Sequence, residues 1–184
     1  MDDAFFMKQA LKQARTALAA GEFPVGAVLV HGDRVLAHGR RSGTAGGPPN
    51  EVDHAEIGAL RALAGRGDAP PPGEIALYCT MEPCLMCYAA LILTGIGRIV
   101  YAYEDAMGGG TGCDLASVGP LYARRRPEIV PYVLRRESLD LFKAFFASPR
   151  NAYWRGSQLA DYTLKAAESP GGPDGAGGRP AFSN

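Results

Sequence analysis

The chain has 184 residues, 47% of them hydrophobic and 21% charged, the make-up of one soluble domain with a core to bury. Nineteen Lys and Arg against nineteen Asp and Glu give a formal net charge of zero, which argues against a globally basic nucleic-acid binder and leaves only a local basic face open. Four cysteines are too few for a disulfide-built mini-domain. The opening MDDAFFMKQALKQA is no secretory signal and the longest apolar stretch is too short to span a bilayer, so a cytoplasmic protein with reduced thiols is expected.

From Asp3 to about Ala20 the apolar residues Phe5, Phe6, Ala10, Leu11, Ala14 and Leu18 keep helical spacing, and Gly21 stands where the helix stops. Pro24–Val30, PVGAVLV, is the near-continuous apolar run of a buried strand, and His31–Asp33 turns it back into RVLAHG as a hairpin. The Gly- and Pro-rich segment Arg40 to Asn50 is a loop that delivers the chain to a helix over Asp53–Ala64, with Asp53 as N-cap. A second loop, GRGDAPPPGE, leads to a short strand at Ile75–Cys79. Pro83–Gly95 follows as a helix with proline at its start and glycine at its end.

Arg98–Tyr103 is another strand, followed by the glycine-rich EDAMGGGTGCD, a short strand at Ile129–Val133 and a helix at Ser138–Ala147. GSQLADYTLKAA is amphipathic and suits a terminal helix. Residues 169–184 have almost nothing to bury and are expected to form a loose tail behind a single domain spanning 1–168. Strands alternating with helices predict one layered α/β domain, with right-handed crossovers making the third and fourth strands parallel neighbours.

His54, Glu56, Cys84 and Cys87 all fall at the start of a predicted helix. Three residues apart on a helix, Cys84 and Cys87 project about 60° from one another and can share one metal. With the two helix starts side by side, one imidazole and two thiolates converge, a donor set that suits Zn²⁺ and leaves a fourth tetrahedral position for water. Positive helix N-termini favour the thiolate form of both cysteines. Glu56, two residues beyond a ligand, can reach that water without being a ligand, as one carboxylate serving as base and then as acid.

A lone Cys-x-x-Cys is also a redox motif or half of a structural zinc ribbon. A ribbon needs a second cysteine pair, which Cys79 and Cys113 do not form, and a thioredoxin-like role has no use for His54 and Glu56. HAE at 54–56 followed by PCLMC at 83–87 matches H-x-E…P-C-x-x-C, the signature of zinc-dependent nucleobase deaminases.

Over residues 4 to 147 the chain resembles the bacterial tRNA adenosine deaminase branch of the cytidine-deaminase-like superfamily. The resemblance is carried by FPVGAVLVHGDRVLAHG, by HAEIGALR, and most specifically by YCTMEPCLMCYAALILTGIGRIVYAYEDAMGGGTG. It implies a three-layer α/β/α fold around a five-stranded mixed sheet, usually assembled as a homodimer. It also implies one Zn²⁺ held by His54, Cys84 and Cys87, with Glu56 moving the proton. The backbone amides of Ala55 and Cys84 would lie near the reacting base, and Asp105 matches an aspartate of the substrate-side loop. Pro24, Val25 and Gly26 would line the pocket floor, or are simply a buried strand entrance.

Three features depart from that branch. Arg41 stands where the family usually has a substrate-binding asparagine, and a guanidinium offers donors only. It would meet a phosphate or carboxylate, or turn to solvent while Asn50 or Asn151 takes the role. A tRNA partner needs phosphate neutralisation, for which only Arg124–Arg126 and Arg135–Arg136 are candidates, against the alternative of solvated surface arginines. The C-terminal part is longer than a minimal tRNA deaminase needs, and its Tyr153 and Trp154 either cap a small substrate or are core aromatics. His31 and His38 are expected at the surface, Cys79 in the core, and Cys113 without a role.

These residues point to a zinc-dependent hydrolase of cyclic amidine C–N bonds, acting on an adenine-type base in tRNA or as a free purine base or nucleoside. A guanine or cytosine deaminase is the nearest rival, and a non-catalytic zinc-stabilised interaction protein a remote one. No membrane partner is expected.

Overall fold

The computed structural model describes residues 2–167. The tail expected over 169–184 lies outside the described residues. Asp2 caps the first helix, its side chain accepting from Phe5 N at 3.0 Å, and α1 runs Asp3–Ala19 until Gly21 turns the chain in the left-handed region. The hairpin follows as β1 (Gly26–His31) and β2 (Arg34–Arg40), then α2 (Ala55–Ala64), β3 (Ala76–Met81), α3 (Leu85–Thr94) and β4 (Arg98–Tyr103). A short α4 (Pro120–Ala123), β5 (Glu128–Val130), α5 (Arg135–Ala147) and α6 (Gln158–Lys165) complete the order.

The strands form one mixed sheet in the order β2-β1-β3-β4-β5. β1 pairs antiparallel with both β2 and β3, while β3–β4 and β4–β5 are parallel. The expected parallel neighbours are therefore β3 and β4. Strand alternation sends Val28, Val30, Tyr78 and Val100 to one face, against Phe6, Met7, Ala10 and Leu11 of α1. Ala27, Leu29, Leu77, Cys79 and Ile99 point the other way, against Ala59 and Leu63 of α2 and Leu91 of α3. α5 packs beside α1 and over β4, so the sheet lies between two helical layers. All six residues of β3 are buried, as a central strand covered on both faces requires.

Gly39 sets how closely α2 approaches. A Cβ built there would run into the Ala55 carbonyl oxygen, so only glycine lets the first turn of α2 rest on β2. Beyond the strands, Arg41 N donates to Val25 O at 2.8 Å and Gly26 N to Thr80 Oγ1 at 3.0 Å, extending the sheet's order to its end. There the C-terminal ends of β3 and β4 release the chain into α3 and into the 104–114 loop.

Several boundaries differ from the sequence expectation. His54, not Asp53, is the N-cap of α2; Asp53 is turned away to pair with Arg61 at 2.7 Å. β5 ends at Val130 and α5 begins at Arg135, because Tyr132 and Leu134 take positive φ and break the strand early. A 3₁₀ turn at Pro72–Glu74 falls in a segment read as a loop, while α4 and a second 3₁₀ turn at Leu115–Ser117 fall where no element was expected; all are too short to show a period. Among the described residues no helix is long and apolar enough to cross a membrane.

Arg98 of β4 ties the sheet to α1, donating to both oxygens of Asp3 at 2.7 and 3.0 Å while the Tyr78 hydroxyl donates to the same carboxylate at 2.8 Å. The Arg98 hydrogen bond holds the Asp3 carboxyl below its usual value. A depressed carboxyl stabilises the fold above the unfolded-state value and loses that contribution as pH falls through the lowered folded value. Asp3→Asn should therefore cost about 1 kcal/mol near neutral pH and progressively less below about pH 3.5, measured by urea unfolding at stepped pH. A deficit that grew on acidification would refute this account of the pair.

Candidate active site

α2 and α3 begin side by side on one face of the sheet, and neither uses a side chain to cap its own first turn. His54 is the N-cap of α2, Cys84 is the N-cap of α3, and Cys87 lies one turn into α3. Freed from capping, these side chains face one another. His54 Nδ1 is 3.5 Å from Cys84 Sγ and 3.5 Å from Cys87 Sγ, and all three donor atoms fall within 4.8 Å of one another.

The three donors share protons. A hydrogen bond from Cys87 pulls the Cys84 thiol down to about 4 against the effect of burial, and His54 adds to the pull. The same bond, with burial, pushes the Cys87 thiol up. Burial works against a charged His54, but the contact with Cys84 prevails and raises its pKa. An imidazole and two sulfurs competing for protons at this separation are a donor set that a tetrahedral zinc satisfies in their place, so the residues fit that metal.

Beside the cluster opens a cavity of about 130 Å³ lined mainly by apolar atoms. That is near the size of a cavity that takes one aromatic ring, about 150 Å³. His54, Ala55, Glu56 and Cys84 form its inner wall. Glu56, in the first turn of α2, is 3% exposed, and burial pushes its carboxyl up. Cys79, expected only to pack the core, donates its thiol toward the Glu56 carboxylate from β3.

Of the expected substrate contacts, Val25, Arg41, Ala55 and Asp105 line this cavity. Pro24 and Gly26 do not. Strand alternation turns Gly26 to the opposite face, where α1 closes on its Cα, and Pro24 is buried with its carbonyl accepting from Thr80. Asp105 Oδ1 accepts from Met107 N at 3.0 Å and Gly108 N at 2.9 Å, so it shapes the loop as well as the wall.

Arg41 meets a carboxylate: its Nη2 donates to Glu51 Oε2 at 3.0 Å, and the Tyr153 hydroxyl donates to the same oxygen at 2.9 Å. Asn50 and Asn151 are occupied locally, one binding Asp53 and the other bracing the Tyr153 backbone. Tyr153 plays both roles considered for it, lining the cavity and packing on Phe23 at 5.4 Å between ring centroids. Trp154 lines the mouth and is 38% exposed, so it is no core aromatic.

Sequence reasoning missed Glu51 and Glu82. Glu82, immediately before Pro83, is buried and accepts from Asp105 N at 3.2 Å and from the Thr111 amide and hydroxyl, holding the 104–114 loop over the site. Its signal was an acidic residue inside the metal motif at a strand end. Glu51 had none, since its partner Tyr153 is 102 residues away. The basic-face candidates also shrink: Arg135 is buried in an ion pair with Glu104, and Arg125 Nη1 donates to the carbonyls of Ile92 and Leu93 at the end of α3. His31 binds Glu74 at 3.0 Å and His38 lies near Gln13, both on the outside of the molecule.

The family defined by the cytidine and deoxycytidylate deaminase zinc-binding region matches residues 1–103. The chain belongs to this deaminase family. It is 36% identical over 147 residues to the tRNA-specific adenosine deaminase of Agrobacterium fabrum, covering 79% of this chain and 94% of that one. The tRNA-specific adenosine deaminase of Bacillus subtilis is 32% identical over 149 residues, covering 80% and 91%. A structure from a study of A-to-I editing by tRNA:A34 deaminases at the wobble position of transfer RNA matches at 32% identity. Its TM-score is 0.58, covering 71% of this chain and 99% of that one. Guanine deaminase from Nitrosomonas europaea, at 23% identity and a TM-score of 0.60 over 77% of this chain and 83% of its own, shares the fold.

The deaminase's zinc site gives a direct test. Replacing Cys87 by Ala should drop bound zinc from about one per chain to a small fraction and lower the melting temperature, by elemental analysis and calorimetry. Zinc content unchanged by the replacement would remove Cys87 from the ligand set.

Proposed function

We propose that the chain is a zinc-dependent hydrolytic deaminase of an adenine-type base, acting as a single catalytic unit over 1–168, with His54, Cys84 and Cys87 as the metal ligands and Glu56 as the proton carrier. The observation that carries it is the buried Glu56 carboxylate on the wall of a ring-sized cavity that His54 and Cys84 also line, two residues beyond His54 of the three-donor cluster. When bound, zinc supplies the Lewis acidity that makes a water nucleophilic at neutral pH. Glu56 takes a proton from that water as its oxygen bonds to the ring carbon carrying the amine. The carboxyl hands that proton to the neighbouring ring nitrogen, then takes the remaining hydroxyl proton and delivers it to the amine; the C–N bond breaks, ammonia departs and the oxygen stays as a carbonyl.

Burial suits Glu56 to this work. A carboxyl with a raised pKa both accepts and returns a proton near neutral pH more readily than an exposed one. The apolar wall excludes competing water, and the first-turn N–H groups around Ala55 and Cys84 face negative charge that develops as the oxygen adds.

Glu56→Gln should keep its zinc and lose at least about a hundredfold in turnover. Full turnover in a zinc-loaded variant would sink the mechanism.

The named relatives act on tRNA, so adenosine in a tRNA loop is the first substrate to offer. A second reading, a free adenine-type base or nucleoside, is favoured by Tyr153 and Trp154 narrowing the mouth and by Arg41 at the cavity wall. Ammonia release from tRNA and from a panel of free bases and nucleosides separates the two. Turnover confined to tRNA and falling steeply with salt would exclude the free-metabolite reading. The proposal extends to a homodimer in the cytoplasm, supported by the exposed Leu85, Met86 and Leu93 of α3.

A further inference from the structure

We infer that Glu82 is a positioning residue for the substrate: its buried carboxylate pins the loop from Asp105 to Thr111, and so holds one wall of the cavity in place for the base. It acts on neither the metal nor the moving proton. This role rests on the nucleobase reading above and names the residue that keeps that pocket in shape.

The loop has little of its own to hold it. It carries Gly108, Gly109 and Gly110 in a row, and turns and a single bridge are the only regular backbone within it. Glycines lose the most freedom when a chain is ordered. Yet Asp105, Met107 and Gly108 of this loop line the cavity beside the donor cluster. A wall built from such a chain is only as definite as the bonds that anchor it.

Glu82 supplies anchors at both ends of the span. It is 2% exposed, and its backbone N–H donates to Tyr103 O at 2.7 Å, which fixes it beside the end of β4. Oε2 accepts from Asp105 N at 3.2 Å, where the span begins. Oε1 accepts from Thr111 N at 3.2 Å and from the Thr111 hydroxyl, where the span returns. A Cβ at Gly109 would strike the same carboxylate, so the loop is folded around that group. Asp105 passes the constraint on, its Oδ1 accepting from Met107 N and Gly108 N.

Both Glu82 oxygens are engaged by the loop, so Glu82 reaches the base through the loop. The three metal donors stand on α2 and α3 without it, and the loop keeps a separate backbone tie, Gly110 N donating to Pro83 O at 2.8 Å. Every one of these Glu82 partners is a donor, and an ionised carboxylate is acceptor only. A glutamine of the same shape would turn its NH₂ against Asp105 N or against Thr111, donor facing donor. Bonds to a buried charged acceptor are the strong kind, so the loss is large for so small a change.

The test uses the zinc-loaded full chain as Glu82→Gln, Thr111→Val and Thr111→Ser. Deamination of adenosine, and of the loop adenosine of a short RNA hairpin, is followed by ammonia release. Glu82→Gln should raise KM about tenfold or more and leave kcat within about threefold. Thr111→Val removes one of the bonds and should raise KM about threefold or more, while Thr111→Ser keeps the hydroxyl and should restore it. The two losses combined in one chain should fall short of their product, because both act through the same carboxylate. Hydrogen exchange reads the loop without substrate. The amides of residues 105–111 should exchange about tenfold faster in Glu82→Gln, with α2 unchanged and zinc still near one per chain.

A Glu82 that only stabilised the fold would lower melting temperature, zinc content and kcat together. Zinc lost from both Glu82→Gln and Thr111→Val, kcat falling at unchanged KM, no rescue by serine, or unaltered loop exchange would each overturn the inference. Trp154, the single tryptophan of the chain, lines the cavity and reports binding by its emission. Titrating zinc-loaded Glu56→Gln with both probes, with and without Glu82→Gln, therefore separates the two failures. Binding weakened by Glu82→Gln in a protein that deaminates neither probe would fail the proposed reaction and leave the role of Glu82 standing. Binding of neither probe would overturn both.

Discussion

Two helices must start at the same point, and that constraint governs the rest of the molecule. α3 is delivered by β3, whose parallel pairing with β4 is fixed residue by residue from Ala76 to Met81. α2 is delivered by a long loop, and its position is fixed by contact: its first turn closes onto Gly39, where a side chain would collide with the Ala55 carbonyl. Once both starts are fixed, His54 and Cys84 occupy cap positions without capping. Both helix starts then line the cavity through Ala55 and Cys84, and the donor cluster and the cavity wall come from one arrangement. The chemistry is placed by backbone packing, with no dedicated scaffold of its own.

A few charges inside or near the interior of this protein tie its elements together. Arg98 binds Asp3, Arg135 binds Glu104, Arg41 binds Glu51, and Arg125 closes the end of α3. Each of these arginines ties one element to another, and Arg41 and Arg135 are buried in doing so. The zero net charge comes from equal numbers of acidic and basic residues, and the exposed lysines and arginines are scattered from Lys8 to Lys165, with one run at Arg124–Arg126. An RNA partner would depend on shape and on the base in the pocket more than on long-range attraction.

The strands, the long helices and the metal motif were legible because each depends on neighbours close in sequence. PVGAVLV, ALYCTM and RIVYAY show their burial directly, and His54-x-Glu56 with Cys84-x-x-Cys87 carries its own spacing. What was illegible depends on pairings across the fold. Nothing near Glu51 in the sequence marks it as the partner of Arg41 and Tyr153, and nothing near Arg135 marks it as buried. The cap of α2 was misplaced by one residue for a physical reason: Asp53 has the better capping chemistry, but Arg61 and Asn50 hold it and the histidine takes the position. For Gly26 the sequence left open the pocket floor or a buried strand entrance, and strand alternation from Val25 turns it to the face where α1 packs.

The C-terminal segment connects the interior charges to the pocket. Arg135 is locked bidentate onto Glu104, also donates to the Ala167 carbonyl at 2.8 Å, and Glu104 accepts from the Tyr162 hydroxyl at 2.7 Å. Those bonds hold α6 against the end of β4, and the segment between α5 and α6 must then cross the cavity, bringing Tyr153 and Trp154 to its mouth. Tyr153 reaches Glu51 and Glu51 reaches Arg41, and all three line the cavity together with Glu56. A buried ion pair just past the end of β4 thereby braces the wall of the cavity. Loosening α6 would disturb the mouth of the cavity before it touched the donor cluster, because that cluster rests on the starts of α2 and α3.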